Sequence, residues 1–553
     1  MKLNKLVYLG IGLLALGMTS CVGDLDLDPI DPNSNYADPS SMEFMESAFA
    51  ECYSSLLSGP TGQGSSIVSG ADGGTANYTR VLFMTNEFPT DEAFWIWWSD
   101  EGVPDMVQVT FNAGNTWLYQ MYSLLYAHIA ICNQFISQVP ENADATLLTM
   151  RDEARALRAL SYYWVVDLFG KGSFILDAPD GATAPPQISR LELYNWLESE
   201  LVDLVDNSYI SESPVYGRVG KDGVEALLAR LYLNAGVYTG TAQWTNCAAR
   251  CQNIIRRHET QSIYGGLAEN YLALFSRENY QFMPGGGGSV NEILWGIAED
   301  ATHSQTYGGT RYLISSCVYN GDGMTPTDYG TNDPWGCLKA REPLTLRFID
   351  DPLEDASNDP RFNKWIGGTV TYDDGASTVE FSTQNYTDQD WLAGYTVIKW
   401  TSLGLLPDGS VDWGNTLGLE TIGTSSTDYS FIRLSDIYLM FAECATHGAG
   451  GMDDAVKYVN YIRNRAHQSE ISSANLNDPD FLLNERSREL YWELTRRSDL
   501  IRFGRYAGNG QDVWCWKGGS VSGNTVNERY NIMPIPTQVL AAQPYFEQND
   551  GWK

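Results

Sequence analysis

Beyond its first twenty residues the chain never offers 18 uninterrupted apolar residues, and a membrane-spanning helix needs about 20. Basic side chains are scarce, with 35 Lys and Arg against 69 Asp and Glu, and there are only 5 His. A surface this acidic repels polyanions. That excludes nucleic acid as a partner and penalises acidic or sulfated polymers, a penalty neutral ligands escape. Paired CxxC elements and a dense disulfide framework are both missing. Cys247 and Cys251 stand four apart on a predicted helix with His258 seven residues on, but no fourth metal ligand is evident. They read as buried thiols or part of an occasional disulfide, and spacing leaves the pairing open. There is no GxSxG elbow, HExxH zinc motif or Walker loop, and the glycine run 285–288 lacks the Lys and Ser/Thr that would hold a phosphate. With so many acids, two carboxylates at a glycosidase's spacing are inevitable and therefore uninformative.

Aromatic residues, by contrast, are plentiful, with 17 Trp and 32 Tyr. Most must fill the core of a 553-residue chain, and a few are free to form a partly wet binding surface. The N-terminus is equally informative. Lys2 and Lys5 precede an apolar run over 6–16, then Met18-Thr19-Ser20-Cys21 and an acidic stretch carrying Asp24, Asp26 and Asp28. A basic n-region, a short h-region and small residues before the cleavage point make residues 1–20 a secretory signal. Cysteine at the cleavage position resembles a bacterial lipobox, with Cys21 lipidated as the first mature residue; residues 21–40 then form an acidic tether. Two or more acyl chains anchor a protein stably on a membrane surface. Removing Lys2 and Lys5 leaves 33 basic side chains against the 69 acids.

Helical periodicity dominates two stretches. Residues 143–170 read as one long helix stopped by Gly170, with Ala154, Leu157, Ser161, Val165 and Leu168 on one face. Ser189 and Glu192 form a capping box ahead of the stripe Leu193, Leu197, Leu201, Leu204. Two more helices follow, one through Val224–Ala235 and one over 244–257. The C-terminal part repeats the arrangement, with Leu434, Ile437 and Phe441 on one helix, Ala455, Val459 and Ile462 on its partner, and a single further helix expected over 480–503. Between about 259 and 430 the periodicity disappears and Gly, Asp, Thr and aromatics take over. Short strands are expected there, for example 395–400. So long an irregular stretch inside a folded protein points to function.

Several segments taken together resemble one family: Glu153-Ala154-Arg155-Ala156-Leu157-Arg158, Asp167-Leu168-Phe169-Gly170, Arg433-Leu434-Ser435-Asp436-Ile437-Tyr438, Arg463-Asn464-Arg465-Ala466, Glu485-Arg486-Ser487-Arg488-Glu489-Leu490 and Arg497-Ser498-Asp499-Leu500-Ile501-Arg502-Phe503-Gly504. In this order, after a lipoprotein signal, they resemble the RagB/SusD family of nutrient-uptake lipoproteins. The resemblance implies a mostly α fold in which four tetratricopeptide-like helix pairs support a loop-rich irregular lobe with short strands, residues 41–553 forming one glycan-binding domain. It also implies a non-enzymatic receptor, exposed on the outer membrane, that delivers oligosaccharides to a SusC-type TonB-dependent transporter. No cofactor is required, and a structural calcium belongs to the resemblance without assignable ligands. The Arg, Glu and Asp residues of these motifs are expected to knit helices together.

The densest aromatic cluster is Asp91-Glu92-Ala93-Phe94-Trp95-Ile96-Trp97-Trp98-Ser99-Asp100. In an extended stretch Trp95 and Trp97 project to one side and Trp98 to the other. Two aligned indoles would make a platform for sugar rings, the flanking acids favouring exposure; a buried aromatic strand is the alternative. The stretch also resembles the starch-binding branch of the family. That likeness adds Asp72, Arg80 and Asp100 as polar contacts, and Tyr307 and Trp335 as aromatic ones from the loops 305–310 and 333–335. The preferred ligand is a neutral α-glucan of the starch or maltooligosaccharide type. Another neutral glycan, a peptide, a surface glycoside hydrolase and an adhesin remain open. Replacing Cys21 with Ala should abolish membrane retention, read by fractionation, while glycan binding by the soluble protein is unchanged.

Overall fold

The computed structural model describes residues 41–62, 64–69, 71–177, 184–321, 324–371, 378–380, 391–415 and 424–553. Cys21, the signal and the tether lie outside them. The chain divides into two units, Met1–Ala48 and Phe49–Lys553.

The scaffold of the second unit is a row of helices, each packed on the next: Thr116–Gln138, Ala145–Trp164, Arg190–Asp206, Lys221–Leu233, Trp244–His258, Leu434–Thr446 and Met452–Arg465. Local sequence signals set their ends. Asp144 Oδ1 accepts the Leu147 N–H at 3.0 Å and starts the second of them. The helical run predicted to reach Gly170 does so, with a last π-helical turn, Val165–Phe169, closed by Gly170 at φ 70°. The capping box also forms: Ser189 Oγ accepts from Glu192 N, and Glu192 Oε2 accepts from Ser189 N. Leu193, Leu197, Leu201 and Leu204 are buried, as their spacing requires.

Two expectations fail. The single helix over 480–503 is two, Pro479–Leu490 and Arg496–Arg502. Trp492 and Leu494 between them adopt left-handed φ values of 62° and 66°, strained for side-chain-bearing residues. The break releases backbone donors to distant partners: Leu494 N–H bonds Glu87 Oε1 at 2.8 Å, and Glu493 is free to reach Arg433 and Lys399. Tertiary partners outweigh local propensity here. Likewise, 395–400 is no strand; only isolated bridges pair Tyr395 with Ala340 and Thr396 with Ile366. The paired strands of this lobe among the described residues are Ala93–Trp95 with Leu338–Ala340, Ile293–Ile297 with Tyr429–Arg433, and Thr369–Thr371 with Thr378–Glu380, all antiparallel.

The family-like motifs of the C-terminal half converge on a fully buried ionic lattice. Arg433 meets Glu292 (2.7 Å), Glu489 (3.0 Å) and Glu493 (2.7 Å). Arg465 shares Glu292 and Glu489 with it. Arg361 joins Asp359 (2.7 Å) to Glu485 (2.9 Å), and Arg463 joins Glu485 to Glu354. Buried Lys399 donates to Glu493 and to the Tyr491 carbonyl, and desolvation pulls its pKa down to about 8. Removing one partner from a buried pair leaves an uncompensated charge. Arg433→Met, which takes one cation away from each of Glu292, Glu489 and Glu493 and leaves the lattice one positive charge short, should therefore destabilise the fold by about 3–5 kcal/mol, measured as a lowered denaturation midpoint.

Candidate functional site

The aromatic cluster sits where three elements meet: the helix Tyr78–Glu87, the strand Ala93–Trp95 and the helix Gly309–Cys317. Asn77 organises the junction. Its Oδ1 caps the first helix at Arg80 N and accepts from Thr79 Oγ1, while its Nδ2 donates to Thr306 Oγ1 at 2.8 Å. Thr79 Oγ1 in turn accepts the Gly309 N–H at 2.8 Å. Gly309 has φ +56°, and a Cβ there would lie 2.3 Å from Glu299 Oε1, so glycine is what lets this helix start against Glu299. Glu299 Oε1 accepts the Thr310 N–H at 2.8 Å.

The acids flanking the cluster are not exposed. Asp91 and Glu92 are buried, and Asp91 is clasped by Arg347 and Arg496, the latter at 2.7 and 2.8 Å. Burial alone would raise the Asp91 pKa, but the two guanidiniums hold its carboxyl well below the usual range. Glu92 receives Ser487 Oγ and faces Arg496 and Arg347, yet burial keeps its pKa above the ordinary value. These acids anchor the strand to the Pro479–Leu490 region and are out of a ligand's reach.

The structure corrects the expected platform. Trp95 is fully buried and stacks on buried Tyr312 (centroids 5.8 Å apart, interplanar 19°). Trp97, half-buried, meets Trp95 edge to face at 5.5 Å and 79°, so the two indoles do not form one flat surface. The physical reason is the strand pairing with Leu338–Ala340, which draws Trp95 inside and ends there, leaving Trp97 outside it. Trp98 does face away, against Phe94 (5.8 Å) and Trp516 (4.6 Å).

All seven residues nominated from the sequence nevertheless belong to one connected network. Trp95 Nε1 donates to Asp100 Oδ2 at 3.0 Å. Arg80 lies over Tyr312 (4.9 Å) and Trp335 (5.6 Å) and donates to the Gly74 carbonyl; Asp72 Oδ1 accepts the Gly74 N–H at 2.9 Å. Arg311 lies over Tyr307 (4.4 Å) and Trp335 (5.2 Å) and is paired with Asp333, which also accepts from Trp335 Nε1 at 3.2 Å. Trp97, Tyr307, Trp335 and Asp100 are half-buried and Asp72 is exposed, while Trp95, Arg80, Arg311 and Tyr312 form the layer behind them. Arg311 and Tyr312 were missed by sequence reasoning. Their signal was an arginine-tyrosine pair in a loop-rich stretch of a cation-poor chain, one helical turn after Tyr307. The layered arrangement can stack flat, hydroxylated rings and orient them with fixed charges.

Cys247, Cys251 and His258 are buried; Cys247 Sγ donates to the Ala229 carbonyl and His258 Nε2 meets Asp222 at 2.7 Å. No helix among the described residues is long and apolar enough to cross a membrane.

Known proteins share this architecture. A SusD family model matches residues 278–552. The chain is 30% identical over 568 residues to the starch-binding protein SusD of Bacteroides thetaiotaomicron, covering 98% of each. It is 23% identical to the SusD-like protein P25 of Formosa agariphila, covering 82% of this chain and 81% of that one. Among solved structures, surface glycan-binding protein A of Bacteroides thetaiotaomicron in complex with laminarihexaose superposes with a TM-score of 0.67 at 19% identity, over 92% of this chain and 99% of that one. A SusD superfamily protein of Parabacteroides distasonis does so with a TM-score of 0.67 at 18% identity, over 92% and 100%.

One buried acid ties the site to pH. Asp428 accepts the Tyr216 hydroxyl (2.9 Å) and the Glu299 N–H (2.9 Å) beneath the start of the Gly309–Cys317 helix. Desolvation raises its pKa to about 7, against the opposing hydrogen bonds from Glu299 and Tyr216. A carboxyl protonated in the folded state and ionised in the unfolded one costs stability fully above the folded pKa, and the cost is relieved as pH falls toward the unfolded value. The Tm of Asp428→Asn minus that of the wild type should therefore rise from about pH 4 to about pH 7 and level off above.

Proposed function

The chain belongs to the SusD family, and we propose that it is a non-catalytic cell-surface receptor that captures neutral oligosaccharides, starch-type α-glucans first among them, and passes them to a SusC-type TonB-dependent transporter. The observation that carries this reading is the layered site itself: half-exposed Trp97, Tyr307 and Trp335 over a buried backing of Trp95, Tyr312, Arg80 and Arg311. Sugar rings present apolar C–H faces that lie on aromatic rings, and hydroxyls that need fixed donors and acceptors. Asp100 uses one carboxylate oxygen on Trp95 Nε1 and keeps the other for a hydroxyl. The starch-binding relative, matched over almost the whole chain, supports the choice of α-glucan.

The residues at this site are suited to binding. Trp97, Trp335 and Tyr307 contribute stacking area at about 25 cal/mol per Å² of apolar surface buried. Ordering a flexible glycan and stripping water from its hydroxyls offset much of that. The expected intrinsic affinity is weak, roughly micromolar to millimolar. A lipid anchor at Cys21 would offset this by holding many copies at the membrane surface beside the transporter.

Calorimetry with maltoheptaose and laminarihexaose tests the reading. Trp97→Ala and Trp335→Ala should each weaken binding of the preferred glucan about tenfold or more, equivalent to about 1.4 kcal/mol, and no new reducing ends should appear on incubation. Unchanged binding in both folded variants, or binding of acidic glycans or peptides alone, would overturn it. Recovery of a barrel transporter with the full-length protein would support delivery.

A further inference from the structure

A second concavity lies in the irregular lobe and shares no residue with the Trp97–Trp335 site. It is a cleft of about 390 Å³, within the roughly 300–1,000 Å³ of small-ligand sites. Its base is apolar, from Tyr271, Leu272 and Val411, all buried. Trp413, half-buried, supplies an indole wall, and Asn363 and Lys364 stand exposed at the rim.

The segment bearing Trp413 is held in place. Leu406 N–H bonds the Ser410 carbonyl at 2.7 Å, Asp412 N–H bonds the Gly404 carbonyl at 2.9 Å, and Leu405 bridges Val411. Across the cleft Asn270 Nδ2 donates to the Gly409 carbonyl at 3.0 Å, tying this turn to the floor. Trp413 is thus a positioned ring, with Tyr329 6.3 Å away and the Lys364 ammonium 5.4 Å from its centroid.

The charges of the cleft decide what it would take. Arg465 contributes to the lining, but its guanidinium is already bound by Glu292 and Glu489, so it offers no net positive charge to a ligand. The rim carries one lysine, Lys364, and one acid, Glu269, both exposed, so their formal charges cancel. An anion finds no net positive charge here, and a purely apolar ligand would leave the polar rim unpaired. What fits is a neutral, hydroxylated ring with one apolar face.

From these features we propose that the Trp413 cleft is a second, independent subsite for a neutral saccharide unit, stacked on the indole and hydrogen-bonded by Lys364 and Asn363. The proposal rests on the receptor reading above and extends it by a second point of contact on the same chain. A glycan long enough to span both would gain effective affinity without either site being strong.

The test uses the full chain labelled with 5-fluorotryptophan. Fluorine NMR then reports each of the 17 Trp, and the Trp413 resonance is assigned by its loss in Trp413→Phe. Maltotriose and laminaritriose are titrated to about 10 mM, in the weak-binding regime. We expect one of them to shift the Trp413 resonance in the wild type and equally in the Trp97→Ala/Trp335→Ala variant, and Lys364→Ala to weaken that shift several-fold. Movement of the Trp97 or Trp335 resonances with a silent Trp413 overturns the second subsite and leaves the receptor reading standing. A Trp413 response only to digalacturonic acid overturns the neutral assignment. Silence of every tryptophan toward all these sugars defeats the receptor reading, and this subsite with it.

Discussion

Burial of charge is the constraint on which the rest of this structure depends. Arg433, Arg465, Arg361, Arg463 and Arg488 have no exposed side-chain surface, and neither do Glu292, Glu354, Glu485 and Glu489 between them. An isolated charge in that setting would cost many kcal/mol, so each position is tolerable only while its partners are in register. The helices Leu434–Thr446, Met452–Arg465 and Pro479–Leu490 are thereby locked to the Ile293–Ile297 strand region. At the break, Trp492 and Leu494 take left-handed backbone conformations, the Leu494 N–H reaches Glu87, and Glu493 between them pairs with both Arg433 and Lys399.

The same logic reaches the candidate binding surface. Asp91 and Glu92 are bound by Ser487 of the Pro479–Leu490 helix, by Arg496 of the next helix and by Arg347 of the helix Glu342–Ile349, which fixes the strand that carries Trp95. Trp95 then backs Trp97 and Tyr312 backs Trp335, so the half-exposed rings stand on a layer that cannot shift without disturbing the ionic lattice. On the far side, Asp428 and Glu299 hold the start of the helix carrying Arg311 and Tyr312. A weak-binding surface gains from such support, because less ordering remains to be done when ligand arrives.

Much of the scaffold was legible in the sequence, since its signals are local. Asp144 and Ser189 mark helix starts, Gly170 a stop, and Leu193 to Leu204 a buried face, each set by neighbours three or four residues away. The role of the charged motifs as interhelical ties was also readable, because so many Arg and Glu at helical spacing have few other uses in a scaffold. What escaped was set at long range. Nothing near residue 495 announces that Glu87 will take the Leu494 amide, and nothing near 395 shows that its partners will be single residues at 340 and 366. For the site, the sequence nominated residues that the structure places in one network, but their layering was not readable. Whether Trp95 or Trp97 faces outward depends on where the pairing with Leu338–Ala340 ends.

The buried arginines have a consequence for the outside of the molecule. Each one drawn inward takes a carboxylate with it, so the net charge left outside is unchanged, but in a chain with only 35 Lys and Arg against 69 Asp and Glu the cations that remain outside are outnumbered further. The exterior is therefore weighted still more toward acid than the composition alone implies. Neighbouring copies crowded in one plane would repel one another at ranges near the Debye length, about 8 Å at physiological salt. Held in one plane, such a surface would space its own population and resist clumping, and would leave uncharged chains free to diffuse between the copies.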